Sequence, residues 1–191
     1  ASGPSVADPT TFADAIAILQ HHAIWEKTPI SIRQHLQQGA AGLQPETLKP
    51  DDGTVDKQRY TILASNSHSL DAIIEHCQQR GYHTYLFSRA LSGDAQQAAQ
   101  ALASRAKSLL DSGLDKPTAL LAGGETTVTL SEQHGLGGRN QEMALAFALS
   151  AERLQLNAGW CFLSGGSDGR DGPTDAAGAT VDNLSLQRMR S

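Results

Sequence analysis

Apolar residues return at helical spacing near the start of the chain. Phe12, Ile16, Leu19 and Ala23 share one face of a predicted helix from Phe12 to about His22. Thr10 or Thr11 is placed to cap it, with Asp14 three residues after Thr11. A second short helix is expected from about Ile30 to Gln38, with Gly39 as its C-cap. Polar residues with Pro45, Pro50 and Asp52-Gly53 then fill 44–58, where a boundary between folded parts is expected. Beyond it the period changes. Tyr60-Thr-Ile-Leu-Ala64 and Tyr82-His-Thr-Tyr-Leu-Phe87 read as strands flanking an amphipathic helix, Leu70 to Gln79, stopped by Gly81. Strand, helix and strand in so short a span predict a βαβ crossover and a parallel pair. An Ala/Gln-rich helix opened by Ser92-Gly-Asp94 follows, running to about Asp111. Apolar runs at Thr118–Ala122 and Thr126–Leu130 precede a helix from about Asn140 to Leu154 and a buried strand, Gly159–Leu163. The alternation predicts an α/β fold: a mixed, largely parallel sheet with flanking helices.

Composition narrows the function classes. The 191 residues carry 15 Lys+Arg against 20 Asp+Glu, a net charge of -5, so no basic face is available for nucleic acid or an anionic membrane. With 39% hydrophobic residues a packed core is expected, and no apolar run approaches a membrane span. Cys77 and Cys161 form neither a disulfide framework nor a Cys-x-x-Cys metal pair. The expectation is a cytoplasmic protein with a small-molecule partner, without nucleic acid or membrane. The 18 glycines draw the eye because many cluster late in the chain.

Three apolar runs empty into glycine-rich, polar loops, and in α/β folds ligands gather outside the carboxyl ends of parallel strands. In Ala64-Ser-Asn-Ser-His68, Ser65 or Ser67 could meet a phosphate or simply cap the next helix. In Ala122-Gly-Gly-Glu-Thr-Thr127 and Gly135-Leu-Gly-Gly-Arg-Asn-Gln-Glu142, the pair Gly137-Gly138 allows close backbone approach. Arg139 then opens a helix with a fixed, always-ionised fork suited to phosphate or carboxylate. The same glycines serve equally as a structural turn, and Glu125 as a partner of Arg139 or a solvated edge charge. In Asp168-Gly-Arg-Asp-Gly-Pro-Thr-Asp175, carboxylates at 168, 171 and 175 could gather round Mg²⁺ or bond their own turn backbone. The histidines show no paired zinc spacing.

Taken together, Leu121-Ala-Gly-Gly-Glu-Thr-Thr-Val-Thr129, Gly137-Gly-Arg-Asn-Gln-Glu-Met-Ala-Leu-Ala146 and Gly165-Gly-Ser-Asp-Gly-Arg-Asp-Gly-Pro-Thr-Asp-Ala-Ala-Gly178 resemble the signature of the MOFRL-type glycerate 2-kinases. The opening Ala1-Ser-Gly-Pro-Ser-Val-Ala-Asp-Pro-Thr-Thr-Phe-Ala-Asp14 is similar to the end of that family's amino-terminal domain. The resemblance implies ATP- and Mg²⁺-dependent phosphorylation of the 2-hydroxyl of D-glycerate, in a cleft between two α/β lobes. On that map residues 1–50 end the amino-terminal lobe and 58–191 form most of the carboxyl-terminal one. Ser2 and Gly3 would stand at the hinge side of the cleft. The lobe's nucleotide-binding glycine loop and catalytic lysine would precede Ala1, and a final loop and strand would follow Ser191. The chain is therefore expected to be a piece of a longer enzyme, inactive by itself. The resemblance makes Arg139 and Asp168 catalytic and gives Mg²⁺ to Asp168 and Asp171. Glycerate would be bound by Thr127, Gly137, Gly138, Asn140 and Glu142. A monomer and a homodimer both remain open. So do two other readings: a hydroxypyruvate reductase, and a catalytically idle binding module.

Overall fold

The computed structural model describes residues 3, 6–53, 59 and 61–191. Two compact units result, Ala1–Leu63 and Ala64–Ser191. In the first, α1 (Phe12–His21) is held by a reciprocal cap: Asp14 N–H donates to Thr11 Oγ1 at 3.3 Å, and Thr11 N–H donates to Asp14 Oδ2 at 2.8 Å. One 3₁₀ turn, Trp25–Lys27, leads to α2 (Ile30–Ala40). The expected stop at Gly39 is wrong by three residues. Gly39 lies inside α2, where a Cβ would come within 2.3 Å of the Phe12 ring. The glycine that ends the helix is Gly42, at φ 74°: its N–H donates to Gly39 O and that of Leu43 to Gln38 O, the paired closure of a helix end. Ser2 and Tyr60 lie outside the described residues.

The second unit runs α3 (Asn66–Gln79), β1 (His83–Leu91), α4 (Ala95–Asp111), β2 (Thr118–Gly124), α5 (Arg139–Arg153), β3 (Cys161–Gly165), β4 (Gly178–Asp182) and α6 (Ser185–Arg190). A parallel pair is present, but its partners are β1 and β2, crossing over through α4, with His83 opposite Thr118 and Leu91 opposite Gly124. The strand expected at Tyr60–Ala64 is not there over Thr61–Ala64, and Ser65 caps a helix that starts one turn earlier than expected. Thr126–Leu130 is likewise no strand. It contributes a single bridge, Thr127 to Asp94, because its backbone turns aside to tie down the start of α4. β3 and β4 form a separate antiparallel pair, and neither β4 nor α6 has a predicted counterpart. The fold is α/β, with a parallel pair and flanking helices as anticipated.

Alanine sets the packing. Ala95, Ala98, Ala99, Leu102 and Ala103 of α4 bury against Met143, Phe147 and Ala151 of α5, the small side chains letting the two helix backbones approach. An adjoining face of α5, at Ala144 and Ala148, is buried with Val181 of β4. Phe147 lies flat on Phe162 at 4.1 Å between centroids and meets Trp160 edge-on at 5.4 Å, filling the space that alanines leave. Among the described residues no helix is long and apolar enough to cross a membrane. Phe147→Ala should remove about 3–4 kcal/mol of unfolding free energy in urea titrations. Leu163→Ala, at a side chain 71% exposed, should change it by no more than about 0.5 kcal/mol.

A candidate anion site at the start of α5

The carboxyl ends of β1 and β2 gather three loop segments. Gly123 and Gly124 close β2, and both are places where backbone or side chain passes too near for a Cβ: one at Gly123 would lie 2.1 Å from Asn66 Oδ1, and one at Gly124 would lie 2.1 Å from Leu91 O. Asn66, in the first turn of α3, donates from Nδ2 to Arg89 O of β1 at 2.6 Å. Asp94 caps α4, accepting from the N–H groups of Gln96 and Gln97. Beyond β2 the chain reaches the first residue of α5, Arg139. Its Nη1 donates to Glu125 Oε1 at 2.5 Å and to Thr126 O at 3.3 Å, which hangs the guanidinium over the end of β2. Arg139 and Glu125 are 45% and 75% exposed, so the pair faces solvent and holds the guanidinium only lightly.

The start of α5 is the centre of the arrangement. Its N-cap, Gly138, makes no side-chain cap, and the loop between β3 and β4 supplies one instead. Asp171 Oδ1 accepts from the Asn140 backbone N–H at 2.9 Å and Asn140 Nδ2 at 3.1 Å. Asp171 Oδ2 accepts from the Gln141 N–H at 2.8 Å and Gln141 Nε2 at 3.1 Å. Thr174 closes the loop: its hydroxyl donates to Asp171 O at 2.7 Å and accepts from Gln141 Nε2 at 3.0 Å. Asn140 Oδ1 in turn accepts from Ser164 Oγ of β3 at 2.7 Å. The approach needs glycine on both sides. A Cβ at Gly138 would sit 2.4 Å from Asp171 Cγ, and one at Gly172, already at φ 61°, would sit 2.1 Å from Gly137 O.

The residues singled out from the sequence thus fall into two groups. Arg139, Gly137, Gly138, Asn140 and Asp171 are drawn together by the meeting of the two glycine loops. Asn140 spends both side-chain polar groups inside the protein, on Asp171 and Ser164. Glu142 accepts from Gln96 Nε2 of α4 at 2.5 Å, and Thr127 donates from its hydroxyl to Gly93 O at 3.3 Å. Asp168 is exposed on the same loop as Asp171, with Oδ1 accepting from the Arg170 N–H at 3.2 Å. Among the described residues no three His, Cys, Asp or Glu side chains converge as a metal site. Sequence reading passed over Gln141, Ser164, Thr174 and Gln96. A cap contributed from 30 residues away leaves no local signature, although Ser164 interrupting an otherwise apolar strand was a usable sign.

Among the described residues Asp171 is the largest fully buried side chain, 1% exposed. Burial pushes its pKa up, but the backbone N–H groups of Asn140 and Gln141, followed by their side-chain amides, overcome that and hold it below the usual carboxylate value. The positive end of the α5 dipole adds to the same preference for a carboxylate. Because the folded-state pKa is the lower one, the carboxylate's stabilisation is complete above the unfolded value near ~4 and is lost as pH falls through the folded value. Asp171→Asn is expected to cost about 2–3 kcal/mol at pH 7, since the amide turns one donor toward two others. The gap to wild type should narrow as pH falls from about 4 toward 2, measured by denaturant titration across pH.

Comparison with known proteins places this chain among similar sequences and folds. Residues 118–191, from β2 to the last residue, match the MOFRL family, and residues 1–37 match a domain of unknown function, DUF4147. A glycerate 2-kinase of Pyrococcus horikoshii is 41% identical over 192 residues, covering 100% of this chain and 42% of that protein. A protein of Agrobacterium vitis carrying a hydroxypyruvate reductase name is 39% identical, over 100% of this chain and 41% of its own length. The crystal structure of a glycerate kinase from Thermotoga maritima superposes with a TM-score of 0.70 at 31% identity, over 96% of this chain and 41% of that one. The chain thus spans about two fifths of the length of the relatives it matches. The glycine loops from Gly123 to Gly138, Arg139 and the Asp168–Asp175 loop all lie within residues 118–191, the segment that matches the MOFRL family, and the chain as a whole is similar to part of the glycerate 2-kinases.

Proposed function

We propose that this chain contributes the anion-handling side of a glycerate 2-kinase, which transfers the γ-phosphate of ATP to the 2-hydroxyl of D-glycerate. One observation carries the reading: Arg139, a half-exposed cation, stands over the carboxyl end of β2 in a chain 41% identical along its whole length to a glycerate 2-kinase. Phosphoryl transfer asks little covalent chemistry of a protein. Its demands are positioning and neutralisation of charge on the moving group. The Arg139 guanidinium suits that task because Glu125 is a surface partner, easily exchanged for a phosphoryl or carboxylate oxygen. Glu142, one turn on from Arg139, and Thr127, next to Thr126, are anchored near the α4 start through Gln96 and Gly93. Units Ala1–Leu63 and Ala64–Ser191 correspond, in this reading, to the end of one lobe and most of the other.

The donor set fits magnesium in part. Mg²⁺ takes one or two carboxylates, with waters and substrate phosphates completing its shell. Asp168 offers an exposed carboxylate for this, whereas each oxygen of Asp171 already accepts two N–H groups. When bound, the ion would neutralise phosphate charge. The reductase name of the Agrobacterium vitis relative favours a second reading. This stretch has no dinucleotide fingerprint, and NADH oxidation with hydroxypyruvate in the absence of ATP would be its mark.

Arg139→Ala, in the protein expressed from its complete reading frame, should lower kcat for 2-phosphoglycerate formation roughly 10³-fold or more, with the KM for glycerate little changed. Arg139→Lys should restore only part of the loss, because an ammonium lacks the bidentate fork. A raised KM at constant kcat would make Arg139 a carboxylate clamp instead. Unchanged kcat and KM in a well-folded Arg139→Ala protein would overturn the assignment.

A further inference from the structure

We infer that Asp171 is a positioning residue, a buried clamp that fixes the first turn of α5 and so the place from which Arg139 reaches the substrate. This rests on the glycerate kinase reading and changes the part Asp171 plays in it, since the Asp-rich loop otherwise suggests a second ligand for Mg²⁺. Three observations carry the assignment. The carboxylate is buried at 1% exposure, and its two oxygens take four N–H groups, leaving no direction open to a cation. Those donors belong to Asn140 and Gln141, the residues that follow Arg139 in the chain, so the clamp acts on the backbone that carries the guanidinium. The contact is also built from both sides by Gly138 and Gly172, where a Cβ would meet Asp171 Cγ at 2.4 Å and Gly137 O at 2.1 Å.

Without the clamp, Gly138 would let the chain pivot just ahead of Arg139. Glu125 and Thr126 O hold only the tip of the side chain, at the solvent-facing end. Displacement of a catalytic group by about 1 Å can cost on the order of 10²-fold in rate. Thr174 is the clamp's own support, tied to Asp171 O and to Gln141 Nε2. Asp168 is separate from this network and remains the carboxylate available to the metal.

The test uses the protein from its complete reading frame, with hydrogen–deuterium exchange of the α5 amides read beside steady-state kinetics. In Asp171→Asn the amides of Asn140 and Gln141 should exchange at least tenfold faster, and kcat should fall about tenfold or more, with the half-saturating Mg²⁺ concentration unchanged. Thr174→Val, a milder change that keeps the buried carboxylate, should lower kcat severalfold with the same unchanged Mg²⁺ requirement. Asp168→Asn should do the reverse, raising the Mg²⁺ requirement while α5 stays protected. If Asp171→Asn does not fold, Thr174→Val decides by the same two readouts. A raised Mg²⁺ requirement in Asp171→Asn with protected α5 amides would overturn the clamp in favour of metal ligation. Lost protection with wild-type kcat and KM would overturn the positioning role and leave a purely structural cap. If the wild-type protein phosphorylates no glycerate, the functional reading fails and the positioning role with it, while the exchange data still show whether Asp171 holds α5.

Discussion

A carboxylate buried at the head of a helix is the constraint around which this unit is organised. Asp171 can stay ionised in the interior only because four N–H groups converge on it, and two of them are backbone donors that α5 would otherwise leave unpaired. Each side solves the other's problem. The helix needs an acceptor where its own N-cap, Gly138, has no side chain, and the carboxylate needs donors in exchange for the water it has lost. The pairing fixes where the β3–β4 loop lies, why Gly138 has no side chain, and from which point Arg139 departs.

This bears on the old attraction of helix N-termini for anions. A free N-terminus beside a glycine pair invites a phosphate, but at α5 the amides of Asn140 and Gln141 are already committed to an internal carboxylate. What the proposed site leaves for a ligand is the guanidinium of Arg139. The ordering of roles follows: one acid serves the protein's own architecture, one exposed acid is left over, and one arginine is held by a partner from which it parts readily.

Much of this was legible from the residues alone. The helices that begin at Phe12 and Ala95 start near where capping chemistry places them, because Thr11 and Asp94 act on neighbours two or three positions away. The parallel crossover was also visible, although displaced by one element. Tyr60–Ala64 has strand composition, yet over Thr61–Ala64 no strand forms, and β1 pairs with Thr118–Gly124 instead. Strand pairing depends on partners remote in sequence, and a local apolar run cannot say which of two candidates wins. The same limit hid the site's main contact. Asp171 was marked as chemically interesting, but whether it faces a metal or a helix is decided 30 residues earlier, at Asn140 and Gln141. Gly39 misled for the opposite reason: glycine marks both helix ends and close contacts, and here Phe12 occupied the space a side chain would need.

Helix α5 is wrapped on two flanks, by α4 on one and by Val181 of β4 on the other. Its 15 residues make a strut about 22 Å long, with Arg139 at one end and Glu152, gripped by Arg190 through two hydrogen bonds, near the other. A strut seated this way cannot tilt at one end without disturbing alanines packed against backbone along its length. The guanidinium is therefore carried on a mount whose stiffness comes from the core and not from its surface partner. In the proposed kinase, reorganisation energy that a floppy site would spend at each turnover would be spent once, during folding.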